Sequence, residues 1–455
     1  MSRSFSFARF RSVLPIVAAS ALAACGPPPP ATCVAGTQIA CACAGGRDGT
    51  QRCGSDGAFG ACLCETADGG PSGEDAAVEV VDAAIDSGQV ETQDGGRPDS
   101  SIPSGCQDEL DLLLMVDNSN SMSEEQASLA AELPRLVRVL ASGDRDEDGV
   151  RDFPPLPSIQ IGVVSSDMGV GGFGVPTCDG GAFGAMFGDD GVLRTSGNTT
   201  ITGCASAYPS VLAFGSGDDP SAYASDVACV ATMGIGGCGF EQQLEAVLKA
   251  LSPSAPQSWT AAGYVAPTFF SATLGHAIGA NAGLVRPDSV LAALVVTDEE
   301  DCSAQNPELF NPTSATYGGT DLNLRCFEYP EAVHPVARFV TGLSGLRTDP
   351  SRLVFSVIAG VPTDLTGSTA AEYDTILADD RMVERVDPTT EGTRLVPSCN
   401  TPGRGIAFPP RRIVSTARGL DTAGAQTSVS SICQESFSPA IDALIDSIAT
   451  AADCR

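Results

Sequence analysis

Leu110-Asp111-Leu112-Leu113-Leu114-Met115-Val116, followed at once by Asp117-Asn118-Ser119-Asn120-Ser121-Met122, is the stretch on which the reading of this chain turns. The first seven residues form an apolar run of the kind that fills a buried strand, and a polar turn ends it abruptly. Beyond the turn, Glu124–Leu140 carries apolar residues at 129, 133, 136, 137 and 140, a helical spacing, with Pro134 placed to kink it. The alternation then repeats. Ile159–Val164, Ser289–Thr297 and Leu353–Ala359 read as further buried strands; Glu241–Leu251, Pro330–Leu343 and Pro439–Ala452 read as helices. Unbroken apolar strands separated by helices predict a doubly wound α/β domain, its mostly parallel sheet covered on both faces. Ligands of such domains bind where the C-terminal ends of strands meet the loops. The domain is placed at 105–455, with a Gly-rich insertion at about 169–236.

Outward from that domain, residues 65–104 hold ten acidic residues, one arginine and no aromatics, the composition of a self-repelling disordered linker. Forty such residues as flexible coil span about 35 Å. Residues 33–64 hold six cysteines: Cys33, Cys41, Cys43, Cys53, Cys62 and Cys64. So short a segment needs cross-links to fold, and three disulfides are expected, with a zinc or iron–sulfur site as the rival. The 105–455 domain has ten more cysteines, again an even set.

At the N-terminus, Arg3, Arg9 and Arg11 precede an apolar stretch from Val13 to Ala24, too short to span a bilayer comfortably. It ends in Leu22-Ala23-Ala24-Cys25-Gly26, which resembles a bacterial lipobox. The resemblance implies a signal peptide at 1–24, cleavage before Cys25, lipidation of its thiol and membrane anchoring, with the outer membrane as the expected location. Residues 25–32 would then hold the lipidated Cys25 and a stiff proline-rich spacer.

Composition narrows the function. Fifty-six acidic residues against 25 basic ones give a formal charge of −31, with no basic run, so nucleic acid is excluded as a partner. Divalent cations or basic partners suit this chain better. There is no Gly-x-Ser-x-Gly and no His-Glu-x-x-His, and the two histidines, His276 and His334, have no evident nucleophile near them in sequence. His276 is expected within an apolar small-residue helix. The chain is not expected to be an enzyme.

The turn Asp117-x-Ser119-x-Ser121 after an apolar strand resembles the metal-ion-dependent adhesion site of von Willebrand factor type A domains. The resemblance implies Mg²⁺ (or Mn²⁺/Ca²⁺) held by the Ser119 and Ser121 hydroxyls, with Asp117 acting through water, and Asp298 at the end of the third strand as a further acidic member. The alternative for the turn is helix capping by Ser and Asp. Where that family has a threonine this chain places Glu241, which would add negative charge and leave the cation less electrophilic. Otherwise Glu241 merely favours a helix N-terminus. The implied function is binding of a protein or surface ligand, with a structural envelope role for the cation as the alternative.

A second acidic pattern lies between the first helix and the second strand. Asp144, Asp146, Asp148 and Asp152 occupy positions 1, 3, 5 and 9 of a loop with Gly149 at position 6 and the Val150 carbonyl at 7, the first part of a calcium loop. Pro155 at position 12 rules out an EF-hand. The loop is similar to the Asp-rich repeats of thrombospondin type 3 and dockerin kinds, which implies Ca²⁺. Glu299-Glu300-Asp301 beside Asp298 reads as a solvated acidic loop or a second cation site.

Overall fold

The computed structural model describes residues 109–146, 148–402 and 405–452, and the backbone of three short strands at 38–43, 47–52 and 63–64. The signal peptide expected at 1–24, the expected lipidation at Cys25 with its spacer, any cysteine pairing within 33–64 and the linker expected at 65–104 lie outside the described residues. The three short strands, β1 (Gln38–Cys43), β2 (Arg47–Arg52) and β3 (Leu63–Cys64), form an antiparallel sheet in that order.

From residue 109 the strands are β4 (Glu109–Val116), β5 (Ser158–Ser165), β6 (Leu212–Gly215), β7 (Val290–Val296), β8 (Leu353–Ala359), a small hairpin of β9 (Cys399–Thr401) and β10 (Gly405–Ala407), and β11 (Gln426–Ser431). Six of them form one sheet in the order β11-β8-β7-β4-β5-β6. All neighbours run parallel except β6, which pairs antiparallel with β5. The helices are α1 (Ser123–Ser142), α2 (Gly184–Phe187), α3 (Pro220–Ala231), α4 (Gln243–Leu251), α5 (Arg325–Glu328), α6 (Val336–Ser344), α7 (Ala370–Ala378), α8 (Arg411–Thr422) and α9 (Ser438–Ala451). The domain is therefore α/β with a mostly parallel sheet, compatible with a doubly wound fold. Among the described residues no helix is long and apolar enough to cross a membrane.

Strand periodicity sorts the core into two layers. Leu112, Leu114 and Val116 pack with α1, α3 and α9 on one face; Leu113 and Met115 pack with α4, α6, α7 and α8 on the other. The one charged residue in the apolar run Leu110–Val116, Asp111, is fully buried and paired: Arg286 Nε lies 2.6 Å from its Oδ1, and the Ser289 hydroxyl also donates to it. Burial pushes its carboxyl up, and those partners pull it back.

Among the described residues four disulfides, Cys178–Cys238, Cys204–Cys229, Cys302–Cys326 and Cys399–Cys433, cross-link the long loops to one another, to α3 and α5, and to the segment after β11. Two of them, Cys178–Cys238 and Cys302–Cys326, lie in a satellite apolar cluster with Phe240, Leu309 and Phe310. Lys249 is buried on α4 and donates to Asp190 Oδ1 at 2.5 Å and Thr273 Oγ1 at 2.8 Å. His276 Nε2 lies 3.1 Å from the other oxygen of the same carboxylate.

Several expected boundaries shift for physical reasons. The helix expected over Pro330–Leu343 is split. A short turn at Pro330–Ala332 is followed by extended backbone, and α6 starts only at Val336, because Pro335 disfavours helix at His334. His276 occupies a turn, not a helix, with its backbone N–H bonded to the Lys249 carbonyl. α1 runs continuously through Pro134. The acidic Glu299–Asp301 segment is not a solvated loop. Asp301 is fully buried, accepts from Leu244 N at 2.9 Å at the start of α4, and pairs with Arg412 at 3.1 Å.

Candidate functional site

In the sheet, β4 and β7 are the adjacent pair from which successive strands depart in opposite directions, and Val116 and Val296 are level in their register. The residues that follow, Asp117 and Thr297, therefore emerge side by side at the switch point of the sheet. Asp117 is fully buried. Its Oδ1 accepts from Ser119 N at 2.8 Å and Ser166 Oγ at 3.2 Å, and its Oδ2 from Thr297 Oγ1 at 2.6 Å. These donors fix the carboxylate, while burial pushes its pKa up. The Ser119 and Ser121 hydroxyls stand 3.4 Å apart, Ser119 buried and Ser121 exposed.

The turn is not explained by helix capping. The residue capping α1 is Met122, without a side-chain cap bond, and neither Ser119 nor Ser121 occupies that position. Asp298 is fully buried, and neither carboxylate oxygen makes a well-formed hydrogen bond; the Ser121 hydroxyl gives it a contact that only partly offsets the burial. Burial, then the charges of Asp117 and Glu125, push its carboxyl up to about 8. A buried acid without a well-formed hydrogen bond is costly unless a cation or proton compensates it.

Glu241 is also brought into this neighbourhood. It precedes α4, whose first residue is Gln243 and whose cap is Gln242, so Glu241 is not part of that helix. The side chain is buried, and burial together with Asp117, Glu299 and Asp298 raises its carboxyl well above the ordinary range. Glu299 is raised in the same way by burial, Asp298 and Asp117. The arrangement thus combines two hydroxyls with buried acids that repel one another, a donor set suited to a hard divalent cation. No three of these acids bring their oxygens within 4.8 Å of one another. A cation here would therefore rely on Ser119, Ser121 and water to complete its shell.

Sequence reasoning missed the residues that hold the site in place. Thr297 and Ser166 look like ordinary strand-end residues, and only their placement beside Asp117 reveals them. The β9–β10 hairpin also flanks the site: Phe408 N, just beyond it, donates to the Asp298 carbonyl at 2.8 Å. Gly405 there has φ +87°, and a Cβ would stand 2.4 Å from Glu125 Oε1, so only glycine fits.

The second acidic pattern forms in part. Asp144, Asp146 and Asp152 bring carboxylate oxygens within 4.8 Å of one another on an exposed loop, the one such set of three among the described residues. Asp148 is not in that set; its carboxylate accepts from Val150 N at 2.7 Å. Val150 itself is exposed at the tip. The loop closes on itself through Arg145 N to Asp152 at 2.8 Å and Gly149 N to Asp144 at 2.9 Å.

Fold and site together define an α/β domain with a buried acidic centre, flanked by hydroxyls, at the C-terminal edge of its sheet. The sequence matches no protein-family model and no curated protein.

Proposed function

We propose that this chain is a lipid-anchored, metal-dependent binding protein of the bacterial outer membrane, whose domain of the von Willebrand factor type A kind grips a protein or surface ligand. Asp298 carries the reading: a fully buried carboxylate with no well-formed hydrogen bond, in contact with the Ser121 hydroxyl, at the end of the strand beside Asp117. Ser119, Ser121, Asp117, Glu241 and Asp298 would hold Mg²⁺, Mn²⁺ or Ca²⁺, which would supply an open coordination position to a partner's oxygen. Ca²⁺ would occupy the Asp144–Asp152 loop. Lipidation of Cys25 would anchor the protein, and the acidic linker would carry the domain away from the bilayer.

Binding is favoured over catalysis because neither histidine belongs to the strand-end site. His276 lies against Asp190, and His334 lies 3.7 Å from Glu245 with its pKa pushed down to about 4 by burial. Calorimetric titration of Mg²⁺ into the mature chain, repeated with Asp117→Ala, tests the reading. Binding that disappears only in the variant supports it; titrations that coincide overturn it. A structural role for the cation is the second reading. The two extra acids, buried Glu241 and half-buried Glu299, favour it, because they would fill coordination positions that a partner would otherwise take.

A further inference from the structure

We infer that Gln126 sets the spacing between the two loops of this site and thereby its cation affinity; the inference rests on reading the strand-end site as a cation site. Gln126 lies in the first turn of α1 and is 3% exposed. Its Nε2 donates to the Asp117 carbonyl at 2.8 Å and to the Gly234 carbonyl at 3.0 Å, while its Oε1 accepts from Gly234 N at 3.0 Å. The amide orientation is fixed by these partners, since the reverse would turn its oxygen on two carbonyls.

A second tie lies beside the first. Gly237 N donates to the Asn118 carbonyl at 2.8 Å, and a Cβ on Gly237 would stand 2.1 Å from Asn118 Oδ1. The 234–237 loop is therefore pinned to residues 117 and 118 at two points, and Glu241 follows four residues later. Cys238, joined to Cys178, holds the far side of the same loop.

Packing alone does not explain a glutamine here. After Glu125 and Gln126, the buried positions of α1 (Leu129, Leu133, Leu136 and Val137 among them) are apolar, and a buried amide is favourable only when its bonds are made. All of the Gln126 bonds go to backbone of the two loops that carry Asp117 and Glu241. Gln126 is thus a positioning residue: it touches no cation and acts through the distance between those two acids.

The test compares the mature chain with Gln126→Met, which keeps the bulk and removes the amide. Mg²⁺ titration should show affinity at the strand-end site reduced roughly tenfold, the lower range for residues that orient ligands. Ca²⁺ affinity at the Asp144–Asp152 loop of the same molecule should be unchanged. Equal weakening at both sites would mean a general loss of structure and would overturn the inference, as would unchanged Mg²⁺ affinity. In the unaltered protein, hydrogen exchange at the Gly234 amide should slow several-fold on adding Mg²⁺. No change there would also overturn the inference, even if the variant failed to fold. If the unaltered chain binds no Mg²⁺, the reading of the site falls first and this inference with it. Mg²⁺ binding that ignores Gln126 leaves that reading standing.

Discussion

Thr297 donates its hydroxyl to Asp117 Oδ2 at 2.6 Å, a bond that crosses from the end of β7 to the end of β4. The Thr297 oxygen in turn accepts from Gln243 Nε2 at 2.8 Å. Because the glutamine amide is the donor, the hydroxyl proton is directed at the carboxylate. The chain Gln243–Thr297–Asp117 thus favours an ionised, oriented Asp117 against the burial that opposes it.

Thr297→Val keeps the shape and deletes that proton. Leaving a buried carboxylate one donor short should cost about 1.5–3 kcal/mol of stability. Mg²⁺ affinity should fall about tenfold through loss of orientation. Chemical denaturation and calorimetry on the same preparation would check both figures.

Cation binding should release protons. With Asp298 pushed up to about 8, the cation-free site holds a proton there at pH 7, and a divalent ion must displace it. Affinity should therefore rise with pH until about 8, by at most about tenfold per unit for one proton. The stability sign is the reverse. The folded carboxyl retains its proton between the ordinary value of 3.8 and about 8 while the unfolded one does not, so this group's contribution is fully present below 3.8 and is lost as pH rises through 8. Titrations at pH 7 in two buffers of different ionisation enthalpy would count the protons, and a flat count of zero would refute the coupling.

On the exposed loop, Asp146→Asn should abolish Ca²⁺ stabilisation while leaving Mg²⁺ binding at the sheet intact. A ligand at a hundred times its Kd stabilises by about 2.7 kcal/mol, enough to shift a thermal melt measurably. Arg145, within the loop, pairs with Asp446 of α9, so the shift should also tighten the closing helix. Melts with Ca²⁺ and with chelator would show it.

Arg412→Met should be among the more damaging surface-proximal changes. It strips the partner from Asp301, whose side chain is fully buried and caps α4. Removing one member of such a pair typically costs about 3 kcal/mol or more. Denaturant titration of the variant would measure it; a loss under 1 kcal/mol would contradict the assigned role.

The long apolar runs announced their strands: Leu353–Ala359 is read to the residue, and β4, β5 and β7 to within one or two. What stayed hidden was structure built from polar or small residues. β11 reads Gln-Thr-Ser-Val-Ser-Ser, which has no apolar signature. It is a buried edge strand because its hydroxyls are satisfied: Ser428 donates to Ser356 at 2.8 Å, Tyr373 to Thr427 at 2.8 Å and Ser431 to the Val361 carbonyl at 2.5 Å. β6 and α3 were lost inside the Gly-rich insertion, although Asp219-Pro220 marks the start of α3. At the site, the acids and serines were legible as a pattern. Thr297, Ser166 and Gln126 were not, because their roles depend on strand register and loop approach, which local sequence does not encode.

Lys249 carries the only side-chain amine in the entire chain, and that amine is sealed within the fold. The folded domain therefore offers amine-directed crosslinkers, acylating reagents and lysine-specific proteases no side chain to attack. Acylation at this one position becomes a single-residue clock for opening of the core, read by mass, with a background set by chemistry rather than by purification. The same feature means that immobilisation or conjugation through a lysine side chain would select the unfolded fraction, so side-chain probes of this protein are better carried on its carboxylates.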